Sequence, residues 1–339
     1  MARLGGGAYQ GMDDNLHRIV AIGGSAGAIG AVKRMCASMP SQLPAAVCIV
    51  VHVGSLGDNL LASILNDCCP FPVHTAEEAQ KLEAGKAYVA PADHHLLVMD
   101  GVIRLGHGPR ENMARPAIDR LFRSVGLAYG PRAIGVVLTG MLNDGASGLA
   151  DLRRCGGVTL VQNPSDAVEA EMPLEALRST DVDYRAAASE IGDLITSLLA
   201  DPPSAATQCP DSVRLEVDIA LGRPIGAAEI AKIGGPSTLS CPDCSGVFTE
   251  IRQAPPLRFR CQVGHAYTGE ALDERQQAGL DDAMRVALRI VEERAVLADK
   301  MARQAHRTGM RLSAADYDKR AAEARRHADV LREAIRKYG

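Results

Sequence analysis

Arg18-Ile19-Val20-Ala21-Ile22-Gly23, running on into Gly24-Ser25-Ala26-Gly27, decides how this chain is read. The run is apolar on both alternating sets of side chains, as a strand covered on both faces requires. The glycines after it allow a sharp turn into a helix. The same design recurs twice. Ala46-Val47-Cys48-Ile49-Val50-Val51 leads into His52-Val53-Gly54, and Ala133-Ile134-Gly135-Val136-Val137-Leu138 leads into Thr139-Gly140-Met141-Leu142-Asn143-Asp144-Gly145. Strands alternating with helices predict a doubly wound, mostly parallel α/β sheet. In such sheets ligands bind beyond the carboxyl ends of the strands. Ser25, His52 and Asp144 fall at those ends.

Working outward, helices are expected through about Met39, from Asp58 to Asn66, through Arg154, around Met172 to Arg178 and from Ala186 to Ala200. A short strand at Lys86-Ala87-Tyr88-Val89-Ala90-Pro91 precedes a hairpin turning at Asp100-Gly101, a dipeptide that accepts positive φ. Pro116 suits a helix first turn, with Ile118, Leu121, Phe122 and Val125 as its apolar stripe. Val158-Thr159-Leu160-Val161 reads as a further strand. Residues 1–17 read as a disordered arm, 18–200 as the main α/β domain and 201–237 as a linker opening at Asp201-Pro202-Pro203. A cysteine-bearing module over 238–268 and a helical hairpin over 269–339 follow.

Hydrophobic residues make up 47% of the 339, with no tryptophan and 3% aromatic, so the core is aliphatic. A net charge of −4 argues against nucleic acid as a partner. No apolar stretch is long enough to span a bilayer, and the start lacks a signal-peptide segment, so a cytoplasmic protein without membrane insertion is expected. Cys36, Cys48, Cys68, Cys69 and Cys155 sit in helical or strand patterns and read as buried, reduced thiols.

A serine hydroxyl becomes a nucleophile only when a base takes its proton and a third group orients that base. Gly23-x-Ser25-x-Gly27 matches the elbow that exposes such a serine at a helix N-terminus, where amides favour a developing oxyanion. Taken alone, the loop equally suits phosphate, although the dinucleotide and P-loop glycine spacings are not met. His52 alone could be a satisfied core histidine, with His74, His94, His95 and His107 as competitors. Asp144 alone could cap the helix that follows it. The chain order Ser, His, Asp differs from that of α/β-hydrolases, which points to another fold with the same roles.

Together these segments resemble the catalytic domain of the bacterial chemotaxis protein-glutamate methylesterases, the CheB type. The resemblance is carried by Gly23-Gly24-Ser25-Ala26-Gly27, His52, Arg115-Pro116-x-x-Asp119-x-Leu121-Phe122 and Leu138-Thr139-Gly140-Met141-x-Asn143-Asp144-Gly145. Lys86 to Pro91 and Met172-Pro173 fit in order, so it covers roughly residues 17–200. It implies Ser25 as nucleophile, His52 as general base and acid, and Asp144 as orienting carboxylate. Ala26, Met141, Asn143 and Arg115 are the implied substrate and oxyanion contacts. The implied reaction is hydrolysis of glutamate γ-methyl esters on the cytoplasmic helices of chemoreceptors or related signalling proteins, releasing methanol, with glutamine deamidation as a companion. No cofactor is expected for catalysis. Ala26, Val51 and Val53-Gly54 depart from residues frequent in the family. Chemotaxis relatives also carry an N-terminal receiver domain, which is not expected from the 17 residues before the first strand.

Cys241-Pro242-Asp243-Cys244 followed by Cys261 and His265 has the spacing of a closed tetrahedral site, so a structural zinc is expected, with Cys209 as a spare ligand. Met284, Leu288, Val291, Ala295, Ala298, Ala302 and Ala305 recur at heptad-like gaps, as do Tyr317, Ala321, Ala324, Ala328, Leu331 and Ile335 after a break near Thr308-Gly309. That pattern predicts an antiparallel hairpin with a small-residue seam. The hairpin is a candidate surface for partners or self-association. A catalytically weak scaffold that keeps the fold for partner binding is the alternative to the esterase.

Overall fold

The computed structural model describes residues 18–52, 60–223, 226–252 and 256–338. The expected arm at 1–17, the first residues of the helix placed from Asp58, and Val53-Gly54 lie outside them. The chain divides into two units, Met1–Leu272 and Asp273–Gly339.

The first unit opens β1 (Ile19–Gly24), α1 (Ala28–Cys36), β2 (Ala46–Val51), α2 (Leu60–Asn66), β3 (Val73–Thr75) and β4 (Ala87–Val89). A hairpin of β5 (His95–Met99) and β6 (Val102–Gly106) leads to α3 (Ile118–Tyr129). Then come β7 (Ala133–Val137), α4 (Ala146–Arg154), β8 (Val158–Gln162), α5 (Glu171–Ser179), β9 (Tyr184–Ala186) and α6 (Ala188–Ala200). Seven strands form one sheet in the order β3-β4-β2-β1-β7-β8-β9, and its pairings are parallel. This is the doubly wound sheet the sequence implied.

Alternation along β1 explains the two layers. Val20 and Ile22 pack with α1, α2 and α6 on one face, while Ile19 and Ala21 pack with α3, α4 and α5 on the other. Each valine or isoleucine so buried contributes roughly 1.5–3 kcal/mol, which is why the strands read as unbroken apolar runs. At the β5–β6 turn, Asp100 has φ 50° and Gly101 φ 74°, the paired left-handed conformation of a two-residue hairpin. Helix α3 starts at Ile118 rather than at Pro116, with Ala117 extended before it. The short strands β3 and β9 were not expected. With three residues each, they carry too little period-two pattern to be seen.

The segment read as a linker contains α7 (Asp211–Ala220) and α8 (Ala227–Ile233). Val213, Val217 and Ala220 bury one face of α7 at helical spacing. Cys155 and Cys209 are joined in a disulfide, so Cys155 is not a free packing thiol and Cys209 is not a spare ligand. The return of the chain into α7, with Arg154 Nη2 donating to Ser212 Oγ at 3.2 Å, brings Cys209 beside the end of α4. An antiparallel four-stranded ribbon follows, β10 (Gly234–Ser240), β11 (Val247–Ile251), β12 (Arg258–Cys261) and β13 (Ala266–Thr268). The helix α9 (Gly269–Arg307) begins at its end.

The second unit pairs the body of α9 with α10 (Arg311–Tyr338). Ala295, Ala298, Ala302 and Ala305 are buried in α9, as are Ala314, Ala321 and Ala328 in α10. Glu292 meets Arg332, Asp299 meets Arg325 and His306 meets Asp318. Partners thus run in opposite directions along the two helices, as an antiparallel hairpin requires. Gly309, at φ 73°, makes the break between them.

Candidate active site

Ser25 is the first residue past β1, and His52 the first past β2. Gly24 and Val51 are paired in register, and His52 N donates to Gly24 O at 3.0 Å. The two side chains therefore start from neighbouring positions on adjacent strands, spaced about 4.8 Å in a sheet. Behind Ser25 the turn is packed tightly. A Cβ on Gly140 would stand 2.9 Å from Ser25 Cβ, and one on Gly27 (φ 80°) would stand 2.7 Å from Val168 Cβ. Ser25 N donates to Thr139 O at 3.0 Å, and Thr139 Oγ1 lies 2.9 Å from Ala26 O. The Thr139-Gly140 segment thus ties the turn after β7 to the serine turn.

Asp144 is buried, and its Oδ2 lies 3.0 Å from His52 Nε2. The approach is close but off the hydrogen-bonding line, since Nε2 has no aligned acceptor; such contacts align on substrate binding. The same carboxylate accepts Ile118 N–H at 2.7 Å and Asp119 N–H at 3.2 Å. Asp144 does cap a helix, but the helix is α3 rather than the α4 that follows it. Asp119 returns the arrangement, accepting Gly145 N–H at 3.0 Å and Gly148 N–H at 2.6 Å at the start of α4. Two carboxylates therefore each hold the other's helix. Burial pushes the Asp119 carboxyl up to about 7 against the pull of Arg123, and the Asp144 and Glu111 charges add to the rise.

The other expected contacts are distributed unevenly. Met141 is 55% exposed at the rim. Asn143 is buried with both polar ends engaged: Nδ2 donates to Glu270 Oε2 at 2.8 Å, and Oδ1 accepts Thr268 Oγ1–H at 2.7 Å. Arg115 is turned to Asp93, at 2.6 Å from Nη2, and to Gly108 O, at 2.9 Å from Nη1. Among the competing histidines, His95 has a structural task. Its Nδ1 accepts Ala117 N–H at 3.1 Å and its Nε2 lies 3.1 Å from Pro109 O. Burial drives it down to about 3, so it stays neutral.

Sequence reading missed a wall of buried charge beside this centre. Glu111 meets Arg120 at 3.1 Å and also meets Arg123 and Arg260. Arg123 reaches Asp151 at 2.9 Å, as does Arg258 at 3.4 Å, and Arg260 pairs with Glu216. Burial alone would raise Glu111, yet Arg123, Arg260 and Arg120 hold it well below the usual carboxylate range. The available signal was Arg258-Phe259-Arg260-Cys261, alternating charged and apolar side chains. Phe259 and Cys261 join the ribbon core, while Arg258 turns to Asp151 of α4 and Arg260 to Glu111 and to Glu216 of α7.

Cys241, Cys244, Cys261 and His265 do converge, with ligand atoms all within 4.8 Å of one another. Cys244 Sγ and Cys261 Sγ lie 3.6 Å apart, and Cys261 Sγ and His265 Nδ1 3.5 Å. Tetrahedral zinc with ordinary bond lengths gives edges of roughly 3.5–3.8 Å, so the donor set fits a zinc ion.

Residues 20–195 match the CheB methylesterase family. The chain belongs to that family. It is 37% identical over 183 residues to a putative protein-glutamate methylesterase/protein-glutamine glutaminase of Leptospira interrogans, covering 54% of this chain and 95% of that protein. A protein-glutamate methylesterase/protein-glutamine glutaminase of Yersinia pestis is 40% identical over 164 residues, which are 47% of each chain. The crystal structure of the Thermotoga maritima CheB methylesterase catalytic domain aligns with a TM-score of 0.51 at 28% identity, covering 53% of this chain and 98% of that one. The matched part is the parallel sheet and its helices; the ribbon and the hairpin lie beyond it.

Proposed function

We propose that this chain is a serine hydrolase acting on glutamate γ-methyl esters of signalling receptors, with glutamine deamidation as a related activity. The observation that carries the reading is the buried Asp144 carboxylate. It is fixed by the amides of α3 and set 3.0 Å from His52 Nε2, beside the strand end that holds Ser25.

With Nε2 facing Asp144, Nδ1 of His52 is the nitrogen left for the serine. It takes the Ser25 proton as Oγ attacks the ester carbonyl. The tetrahedral oxyanion forms beside the amides of Ala26 and Met141, since the Ser25 amide is already bonded to Thr139 O. His52 returns the proton to the methoxide, methanol leaves, and a glutamyl ester remains on Ser25. A water deprotonated by His52 then attacks that ester, and the proton passes back to Ser25. With glutamine as substrate the first leaving group is ammonia.

The catalytic role falls to residues 18–200. Cys241, Cys244, Cys261 and His265 supply four ligands for a structural zinc, and a filled tetrahedron leaves no open position for substrate. The helical hairpin is the surface offered to receptor helices, a signalling partner or a second copy. No described helix is long and apolar enough to cross a membrane, and cytoplasmic action fits a substrate on the receptors' cytoplasmic helices.

Methanol release from methylated receptor fragments tests the reading. Ser25→Ala is expected to lose at least about a thousandfold in kcat, and a fluorophosphonate is expected to label Ser25 in the wild type. Equal rates for variant and wild type rule out the esterase.

A further inference from the structure

Asp144 has a neutral side-chain neighbour that the reaction scheme does not use. Asn112 is 5% exposed, and its Nδ2 lies 3.0 Å from Asp119 Oδ2 and 3.4 Å from Asp144 Oδ1. A carboxamide can present either its nitrogen or its oxygen. Here Asn112 Oδ1 accepts Thr268 N–H at 2.9 Å, so the nitrogen is the end turned to the carboxylates. Turned over, the amide would set an oxygen against two buried acids.

Thr268 closes β13, the ribbon strand that starts one residue after His265. That strand is laid on the loop carrying Asn112. Glu111 and Ala266 form a parallel bridge, and Asn112 N donates to Ala266 O at 2.9 Å. Thr268 Oγ1 also holds Asn143, the residue before Asp144, at 2.7 Å. The ribbon's core is a cluster of seven buried residues, two of them the cysteines Cys241 and Cys261 and two more, Ala271 and Leu272, supplied by α9. A metal bound by Cys241, Cys244, Cys261 and His265 would tie the strands around so small a core together.

We propose that Asn112 is a positioning residue for the reaction, and that the metal-bearing ribbon sets its orientation through the Thr268 amide. The ribbon is then part of the catalytic centre's support, and metal occupancy regulates hydrolysis without touching substrate. This inference rests on the Ser25, His52 and Asp144 reading.

The test compares wild type and Asn112→Ala, each zinc-loaded and chelator-treated, by kcat and KM across pH and by fluorophosphonate labelling of Ser25. Zinc-loaded Asn112→Ala is expected to lose about tenfold in kcat, with KM changed by less than about twofold. The acid limb of its pH profile moves upward. A carboxylate that has lost a donor attracts a neighbouring cation more strongly. Chelation slows wild-type labelling, and zinc restores it. In Asn112→Ala chelation adds less, because the same link is already cut. Losses that multiply in full overturn the proposal. So does a zinc-loaded Asn112→Ala with wild-type kcat and pH profile, which alone decides the matter if circular dichroism shows that chelation unfolds the chain. Absence of labelling in zinc-loaded wild type is a different failure: it sinks the triad, and this proposal with it.

Discussion

Arginine–carboxylate pairs occur in two settings in this molecule, and the settings give them different work. Beside the candidate active site, Arg120, Arg123, Arg258 and Arg260 meet Glu111, Asp119, Asp151 and Glu216 with all eight side chains buried. Along the hairpin, Arg325 meets Asp299 and Arg332 meets Glu292 in largely solvated positions. The buried charges gave up their hydration, so the folded state depends on every partner being present. The solvated pairs gave up little and contribute little. Chemical type therefore says less about a salt bridge than the dielectric around it.

Breaking the buried set is expected to have the largest effect on stability. Arg123 is shared by Glu111, Asp119 and Asp151 and also donates to Ser147 Oγ at 2.9 Å. Arg123→Met fills similar volume but leaves three buried carboxylates short of a cation. A loss of roughly 3–5 kcal/mol is expected, measured by urea unfolding at neutral pH. Activity should fall with it, since Asp119 holds the start of α4 next to Asp144. A variant as stable as wild type would show that water or the remaining arginines replace Arg123.

That contrast also marks how far the sequence could be read. The sheet, the layering of its helices and the strand-end positions of Ser25, His52 and Asp144 were all legible, because apolar periodicity and glycine turns are local signals. The alanine seam of the hairpin was legible for the same reason. The capping exchange between Asp144 and Asp119 was not, since it joins residues 25 positions apart through two helix starts. Asn143 looked free for substrate because nothing local shows that Thr268 and Glu270 reach it. Arg258 and Arg260 looked like solvated charges, the usual fate of arginine, and only the fold turns them inward. The linker reading failed because proline and polar residues at its start hid the three apolar positions of α7.

A smaller effect comes from the buried group that carries no charge. His95 sits against Arg120 and Glu111, and burial drives it down to about 3, against about 6.5 for histidine in an unfolded chain. Its folded value is the depressed one, so its contribution is fully present above about 6.5. It is lost as the pH falls towards 3, where the unfolded chain takes a proton the folded chain refuses. The slope is about 1.4 kcal/mol per pH unit below pH 6. Asp119, raised to about 7, runs the other way, gaining stability as the pH falls over the same window. The difference between wild type and His95→Asn isolates the histidine, because Asp119 is common to both. Urea unfolding at pH 7.5, 6.0 and 5.0 is expected to show a gap that narrows steadily with acid. A constant gap would mean that His95 is protonated in the fold.

The smallest effect is expected where the pair is exposed. Arg325 meets Asp299 across the hairpin, and its loss leaves Asp299 with water in place of a partner. Arg325→Ala is therefore expected to cost less than about 1 kcal/mol, and less again at high salt, where exposed charges are screened within about 3 Å at 1 M. Ala302 in the same hairpin provides the internal check, since it is buried in the seam. Ala302→Leu should cost about 1–3 kcal/mol by overfilling a close helix contact, and salt should leave that cost unchanged. Thermal melts of both variants at 0.1 and 1 M salt separate the two. If Arg325→Ala proves the more damaging, the hairpin is held by its ion pairs rather than its alanines, and burial no longer explains the difference between the two sets of arginines.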